Sequence, residues 1–400
     1  MSFSEWREYS IDDIAISYDK KRIPLSSRQR ELKKGVYPYY GASGIIDYID
    51  DFLFDGEFVL ISEDGENLKT RQTPIAFKVN GQFWVNNHAH IYKGIEPFLN
   101  DWIVYYFKKL DVFPYITGAV QPKLNQENLK LIKIKIPDFS EAKKIVSILS
   151  TLDEKIELNR QTNTTLEAIA QAIFKEWFVD FNYPNATGEL IDSPLGPIPK
   201  GWQVARMGEV IVTIESGSRP KGGVGYLSEG IPSIGAENII GLGAYDYSKE
   251  KYVSEDFYSQ MKNGIVKSGD VLLYKDGASI GRKSLFMDDF PHKKCAINEH
   301  VFILRSNESI NQIYLYFWLD QDFMTENIKS LNANSAQPGI NRTGVSSMPI
   351  MIPDQFVVKE FEHLILPLLR KLFNNCKESV TLTQMRDSLL PKLLNGEIEV

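Results

Sequence analysis

The chain repeats itself, and that repetition constrains its architecture more than any local pattern. The stretch AVQPKLN (Ala119 to Asn125) returns as SAQPGIN (Ser335 to Asn341), 216 positions later. In the same register IKIP (Ile134 to Pro137) meets IMIP (Ile350 to Pro353), Asn159 meets Asn375, Leu166 meets Leu382 and Ile173 meets Leu389. A gapless register kept over roughly sixty residues marks an internal duplication. Upstream the echo is looser. YPYYGASGII (Tyr37 to Ile46) resembles IPSIGAENII (Ile231 to Ile240), GEFVLISEDG (Gly56 to Gly65) resembles GDVLLYKDG (Gly269 to Gly277), and WVNNHAHIY (Trp84 to Tyr92) resembles AINEHVFIL (Ala296 to Leu304). These are short β-type runs punctuated by Gly, Asn and Asp. The duplicated object is a mostly-β domain followed by a helix.

The helix is long. Ile145, Leu149, Leu152, Ile156, Asn159, Asn163, Leu166, Ala170, Ile173 and Trp177 are spaced alternately four and three apart, the seam of a coiled coil. The duplicate seam runs through Phe361, Ile365, Leu368, Leu372, Asn375, Ser379, Leu382, Arg386, Leu389 and Leu393. Forty helical residues make a rod of about 60 Å. Pro367 is expected to kink or interrupt the second helix and Pro391 to end or bend it. Antiparallel, end-to-end pairing sets Asn163 opposite Asn375 and Asn159 opposite Ser379, two polar layers that penalise slipped registers. Asp138, Ser140 and Glu141 suit the capping of the first helix.

The fold class expected is therefore α+β: two mostly-β domains, each followed by a long helix, with the helices pairing as an antiparallel coiled coil in a pseudo-twofold internal repeat. The expected boundaries are 1–140, first domain; 141–181, central helix; 182–201, a connector with four prolines and no periodicity; 202–356, second domain; and 357–400, C-terminal helix and tail.

Four hundred residues suit two domains better than one core. Two cysteines, Cys295 and Cys376, suggest no disulfide framework and a reducing compartment. The acidic start MSFSEWREYSIDD lacks the apolar segment of a secretory signal, and no run reaches membrane-span length, so a cytoplasmic location with no membrane partner is expected. The formal charge of −7 argues mildly against nucleic acid. Position matters more than the sum, though, because Lys20 to Lys34 holds seven basic residues against one acid, Glu31. That run also fits a solvated loop.

Motifs of catalysis are missing. The sequence holds no phosphate-binding G-x-x-x-x-G-K-[ST] loop, no G-x-S-x-G elbow and no Asn/Asp-Pro-Pro-aromatic motif of amino-group methylation. His88 and His90, two apart on an expected strand, point to one face but lack further converging ligands, so no metal is expected. Two variable domains held apart by a rod form a caliper for an extended partner. Double-stranded DNA, repeating every ~34 Å, fits one.

At these segments the chain resembles the specificity subunit of type I restriction–modification enzymes. The resemblance rests on ILSTLDEKIELNRQTNTTLEAIAQAIFKEWFVDF (Ile148 to Phe181) and RDSLLPKLLNGEIEV (Arg386 to Val400). SGSRPKGGVGYLSEGIPSIGAENI (Ser216 to Ile239) and GDVLLYKDGASIGRKSLF (Gly269 to Phe286) add support. It implies two target recognition domains, each reading half of a split, asymmetric DNA target, with the helices as spacer. It also implies two modification subunits carrying S-adenosylmethionine chemistry, and restriction/motor subunits using ATP and Mg; no cofactor is expected on this chain itself.

On that reading, Lys and Arg supply affinity for phosphates and side chains at base edges supply specificity. The candidates in the first domain are Lys20, Lys21, Arg22, Arg28, Arg30, Lys33 and Lys34, with Lys69, Arg71, Asn86, Asn87 and His88 behind them. In the second they are Ser218, Arg219 and Lys221 in a glycine-rich loop, and Lys275, Arg282 and Lys283 around DGASIG. Asn159, Asn163, Asn375 and Ser379 are expected to set the helix register. Asn86 and Asn298 occupy equivalent places, which equally fits a shared turn. Gln121 and Gln337 are expected to serve the junction between domain and helix rather than DNA.

Overall fold

A computed structural model describes residues 6–118, 121–224, 226–331 and 339–400, the side chain of Ala278 excepted. The chain divides into two compact units, residues 1–154 with 382–400, and residues 155–381. Each unit takes one domain of the duplication and part of both long helices.

The first unit runs through β1 (Arg7–Tyr9), β2 (Ala15–Ser17), β3 (Lys34–Gly41), β4 (Gly44–Ile49), β5 (Phe54–Asp55), β6 (Phe58–Ser62), β7 (Ala76–Val79), β8 (Gln82–Val85) and β9 (Ala89–Gly94). The helix α1 (Phe98–Lys109), strand β10 (Ile134–Ile136) and the long helix α2 (Phe139–Phe178) follow. One sheet has the order β2-β9-β6-β7 and is antiparallel throughout; the other has the order β4-β3-β8-β5, with β3 parallel to β8. β1 closes on β10, bringing the start of the domain to the strand that feeds α2.

The second unit repeats this plan with β11 (Gln203–Arg206), β12 (Ile211–Ser216), β13 (Ile231–Ile234), β14 (Tyr252–Val253), β15 (Asp270–Tyr274), β16 (Lys283–Phe286), β17 (Ala296–Ile297) and β18 (Val301–Ser306). Then come α3 (Gln312–Leu319), β19 (Pro349–Ile352) and α4 (Gln355–Leu394). The orders are β12-β18-β15-β16 and β14-β13-β17, with β13 parallel to β17, and β11 closes on β19. Even the registers match: Ile61 pairs with His90 in the first unit and Leu273 with Phe302 in the second. The expectation of mostly-β domains needs one addition. Each holds a buried helix, α1 with Trp102, Ile103 and Phe107 inside, and α3 with every residue from Ile313 to Leu319 inside. The aromatic and β-branched content of both segments reads locally as strand.

The repeated junction has a structural cause. Leu124 donates its amide to the Glu63 carbonyl (2.8 Å) and Ile340 donates to Lys275 (2.8 Å), the equivalent bond. Asn125 and Asn341 then cap the next short helix, accepting from Asn128 and Gly344 (both 2.8 Å). Gly118 has φ +86° and a Cβ there would lie 2.2 Å from the Gln121 carbonyl, so the turn requires glycine. The Gln121 side chain is exposed and has no hydrogen-bond partner among the described residues. The junction rests on Leu124, Asn125 and the backbone, the Gln121 carbonyl included; Gln337 lies outside the described residues.

Both long helices start on an Ile-Pro-Asp sequence. Asp138 Oδ1 accepts the amides of Ser140 (2.9 Å) and Glu141 (3.2 Å), and Asp354 Oδ1 accepts that of Phe356 (2.8 Å). Within the first unit Ala142, Ile145, Val146 and Leu149 of α2 are buried in one core with Leu390, Leu393 and Leu394 of α4. Within the second, Ala170, Phe174 and Phe178 are buried with Phe361, Ile365, Leu369, Leu372 and Phe373. The helices are antiparallel, as expected, but the seam differs at this end: Phe174 and Phe178 are buried while Ile173 and Trp177 are half-buried. A straight helix drifts ~20° per heptad, which carries the buried face one position on to Phe174 and Phe178, both packed against Phe361 of α4. Neither proline interrupts α4, which continues through Pro367 and Pro391. An interior proline costs about 3 kcal/mol. Burial of Phe361, Ile365, Leu369 and Leu372, at roughly 1.5–3 kcal/mol each, outweighs it.

The segment read as connector is partly packed. Leu190–Ile191 pairs with Ile198–Pro199, and Tyr183 stacks on the buried Trp202 at 4.9 Å.

Candidate DNA interface

The basic run from Lys20 to Lys34 folds as a turn (Asp19–Lys21), a short helix (Ser27–Glu31) and the start of β3. Its charges divide into two sets. Arg22 is drawn inward, donating to Glu63 Oε2 (2.8 Å) and the Ala89 carbonyl (2.7 Å). Arg30 lies over the Tyr39 ring and donates to Asp47 (3.1 Å) and the Leu25 carbonyl (2.8 Å). Lys33 pairs with Asp50 and Lys34 with Asp47, whose carboxyl falls to about 2 chiefly through the Lys34 bond. Lys20 and Arg28 are exposed without an acidic partner among the described residues, and Lys21 sits over Tyr18.

Elsewhere the fold claims several candidates. Arg71, at φ 51°, donates to the carbonyls of Phe107 (2.8 Å), Lys108 (3.1 Å) and Leu110 (2.6 Å), capping the C-terminus of α1. Lys283 is buried against Thr325 (2.9 Å) and Asp320 (3.3 Å); burial lowers its ammonium pKa and Asp320 only partly restores it. Asn86 is buried, its Oδ1 accepting the His88 amide (2.8 Å), the shared turn that Asn298 repeats on His300 (2.8 Å). Arg22, Arg30, Arg71, Lys283 and Asn86 are thus engaged within the fold, which the sequence does not reveal, since it shows side-chain type but not which cations find a carbonyl or carboxylate. Lys69, Asn87, Ser218, Lys221 and Arg282 remain exposed, Lys275 lies over the Phe302 ring (4.8 Å), and Arg219 faces Glu299 (2.9 Å).

The two histidines expected on one strand face are separated. His90 lies in β9 and is buried: Nδ1 is 2.6 Å from Asp19 and Nε2 is 2.8 Å from the Leu124 carbonyl. Asp19, Glu63 and His90 bring three possible metal ligands together. Arg22, Lys123 and Gln126 already occupy their oxygens, so the cluster is a charge network rather than a cation cage. His88 lies in the preceding turn with its ring exposed, Nδ1 2.9 Å from Asp64. His300 does the same with Asp276 (2.8 Å). The aspartates and His300 were missed in the sequence. The signal was there: each pair is 24 residues apart, in matching loops.

Among the described residues no helix is long and apolar enough to cross a membrane.

Comparison with known proteins agrees with this duplicated plan. The family model described as "Type I restriction modification DNA specificity domain" matches residues 3–168 and again 199–379. A type I restriction enzyme specificity subunit (MjaIX) of Methanocaldococcus jannaschii is 26% identical over 427 aligned positions, covering 99% of this chain and 97% of that protein. A putative type I specificity subunit of Haemophilus influenzae is 29% identical over 70% of this chain and 68% of its own length. Among solved structures, the type I restriction–modification S subunit of M. genitalium shares the fold with a TM-score of 0.62 at 16% identity, covering 98% of this chain and 97% of that one. With the family model matched once in each half of the duplication, the chain belongs to the type I restriction–modification DNA specificity family.

Proposed function

We propose that this chain is the non-catalytic DNA-reading subunit of a type I restriction–modification complex. Each unit reads one half of a bipartite, asymmetric target, and the paired helices set the gap between halves. The observation that carries this reading is the duplication itself: two domains of one topology, each feeding a helix, with the helices antiparallel and joined by matched polar layers. Two domains of one topology suit a partner with two comparable half-sites, as double-stranded DNA can offer. Lys20, Lys21, Arg28, Lys69, Asn87 and His88 in the first unit, and Ser218, Lys221, Lys275 and Arg282 in the second, are among the side chains that meet it. Two modification subunits bind S-adenosylmethionine and dock on this chain, and restriction/motor subunits join them with ATP and Mg.

The test is to co-express the chain with its modification subunit and map methylated adenines across the host DNA. Two short fixed sequences around a constant gap are expected. A stable complex whose DNA affinity ignores salt would instead mark a protein scaffold, because phosphate neutralisation makes binding fall steeply with salt.

A further inference from the structure

Each unit carries one exposed imidazole held by one carboxylate, and the two sites are built alike. His88 Nδ1 lies 2.9 Å from both oxygens of Asp64, and His300 Nδ1 lies 2.8 Å from Asp276. In both, an asparagine two residues earlier accepts the histidine amide at 2.8 Å. The histidine carbonyl accepts from Glu63 (2.9 Å) in one copy and Lys275 (3.1 Å) in the other. Asp64 bridges Lys123 and Asp276 bridges Gly339, so both sites border the same junction.

The surroundings have diverged. Glu63 is replaced by Lys275, Asn87 by Glu299 and the buried His90 by Phe302, yet the Asp–His pair persists. It is not needed to hold the turn, which the asparagine and the backbone bonds already fix. An exposed ion pair adds only about 0–1 kcal/mol. What the aspartate does is orient the ring. The histidine side chains are 48% and 42% exposed, against burial of Asn86 and Asn298.

We propose that His88 and His300 are matching base-reading residues, one per unit, His88 accepting a hydrogen bond at Nε2 from the exocyclic amine of an adenine or cytosine and His300 donating one from Nε2 to a purine N7 or a base carbonyl. With Nδ1–H donated to Asp64, a neutral His88 ring keeps its lone pair at Nε2. In the major groove those amines are the donors that an acceptor can distinguish. In the second unit Glu299 Oε1 lies 3.3 Å from His300 Nε2, and Arg219 holds its other oxygen at 2.9 Å. A carboxylate oxygen beside Nε2 calls for an N–H there, so this ring donates. The matching place in the first unit holds Asn87, exposed and uncharged, so no carboxylate claims His88 Nε2 there.

This inference rests on the DNA-reading function above, and its test separates the two. The substitutions are H88N and H300N, because an asparagine amide still donates to the aspartate from the place of Nδ1 but has nothing at Nε2. The modification complex is assembled with each variant and its methylated motif mapped beside that of the unsubstituted chain. H88N is expected to relax one position in one half of the motif, and H300N one position in the other half, each by about tenfold in discrimination. Thermal melts should be unchanged. Identical motifs and rates in both variants would overturn the assignment, as would equal damage to both halves with a lowered melting temperature, which would make the pair a structural clamp. If the unsubstituted complex yields no split motif, the DNA-reading function itself fails.

Discussion

At the scale of single residues, the first unit buries a small charge network around Asp19, Glu63 and His90. Burial alone would push the Asp19 carboxyl up, but the His90 bond and charge, the Ile91 amide and Arg22 outweigh it, and the group lies below the ordinary carboxylate range. Glu63 behaves alike: burial raises it, and Arg22, His90 and Lys123 bring it lower. A carboxyl depressed in the folded state contributes stability that is complete above its unfolded value, about 4, and lost as pH falls through the depressed value. The Ile91 amide, which donates to Asp19 Oδ1 at 2.7 Å, should keep its hydrogen-exchange protection at neutral pH and lose it only below about pH 4. Loss of protection nearer pH 6 would mean that another group controls the network. Arg22→Ala removes the cation shared by Asp19 and Glu63 and should destabilise the chain by about 3 kcal/mol in urea unfolding. Lys20→Ala, at an exposed site, should leave stability within about 0.5 kcal/mol. Equal effects would contradict the division of this basic run into inward and outward sets.

At the scale of elements, the polar layers between the helices decide register. Asn375 donates to Asn163 Oδ1 (2.9 Å), and Asn159 donates to Ser379 Oγ (3.3 Å) and Glu378 Oε2 (2.9 Å). Asn375→Leu alone should cost about 1–3 kcal/mol, because the Asn163 carbonyl oxygen loses its donor. Asn163→Leu with Asn375→Leu should recover that loss and allow altered pairing. Disulfide trapping between cysteines placed at 159 and 379 reads the change: a single efficient product in the parent, several slipped products in the double variant. Efficient trapping at that one pair in both would show the asparagines are dispensable for register. Pro367→Ala should stabilise α4 by up to about 3 kcal/mol, since the helix already runs through that position. The caps, the antiparallel pairing and the seam up to Ala170 were legible, because heptad spacing and Ile-Pro-Asp starts are local signals. The passage of α4 through Pro367 was not, since it depends on burial of Ile365, Leu369 and Leu372 against a domain distant in sequence. Helices α1 and α3 were hidden for the same reason: YLYFWL is a strand by composition and a helix by packing. The Asp–His pairs needed both loops to be placed before their partnership could be seen.

At the scale of the whole molecule, the proposed function has two readers spaced by a pair of helices. Inserting four residues after Asn159 adds about 6 Å, one turn and a fraction, to α2. The most direct measurement maps methylated adenines for the modification complex carrying either the parent chain or this insertion. The account predicts a split motif in both, with the same two half-sequences and a gap that differs between them. An unchanged gap with methylation intact, or a continuous motif in the parent, would contradict it.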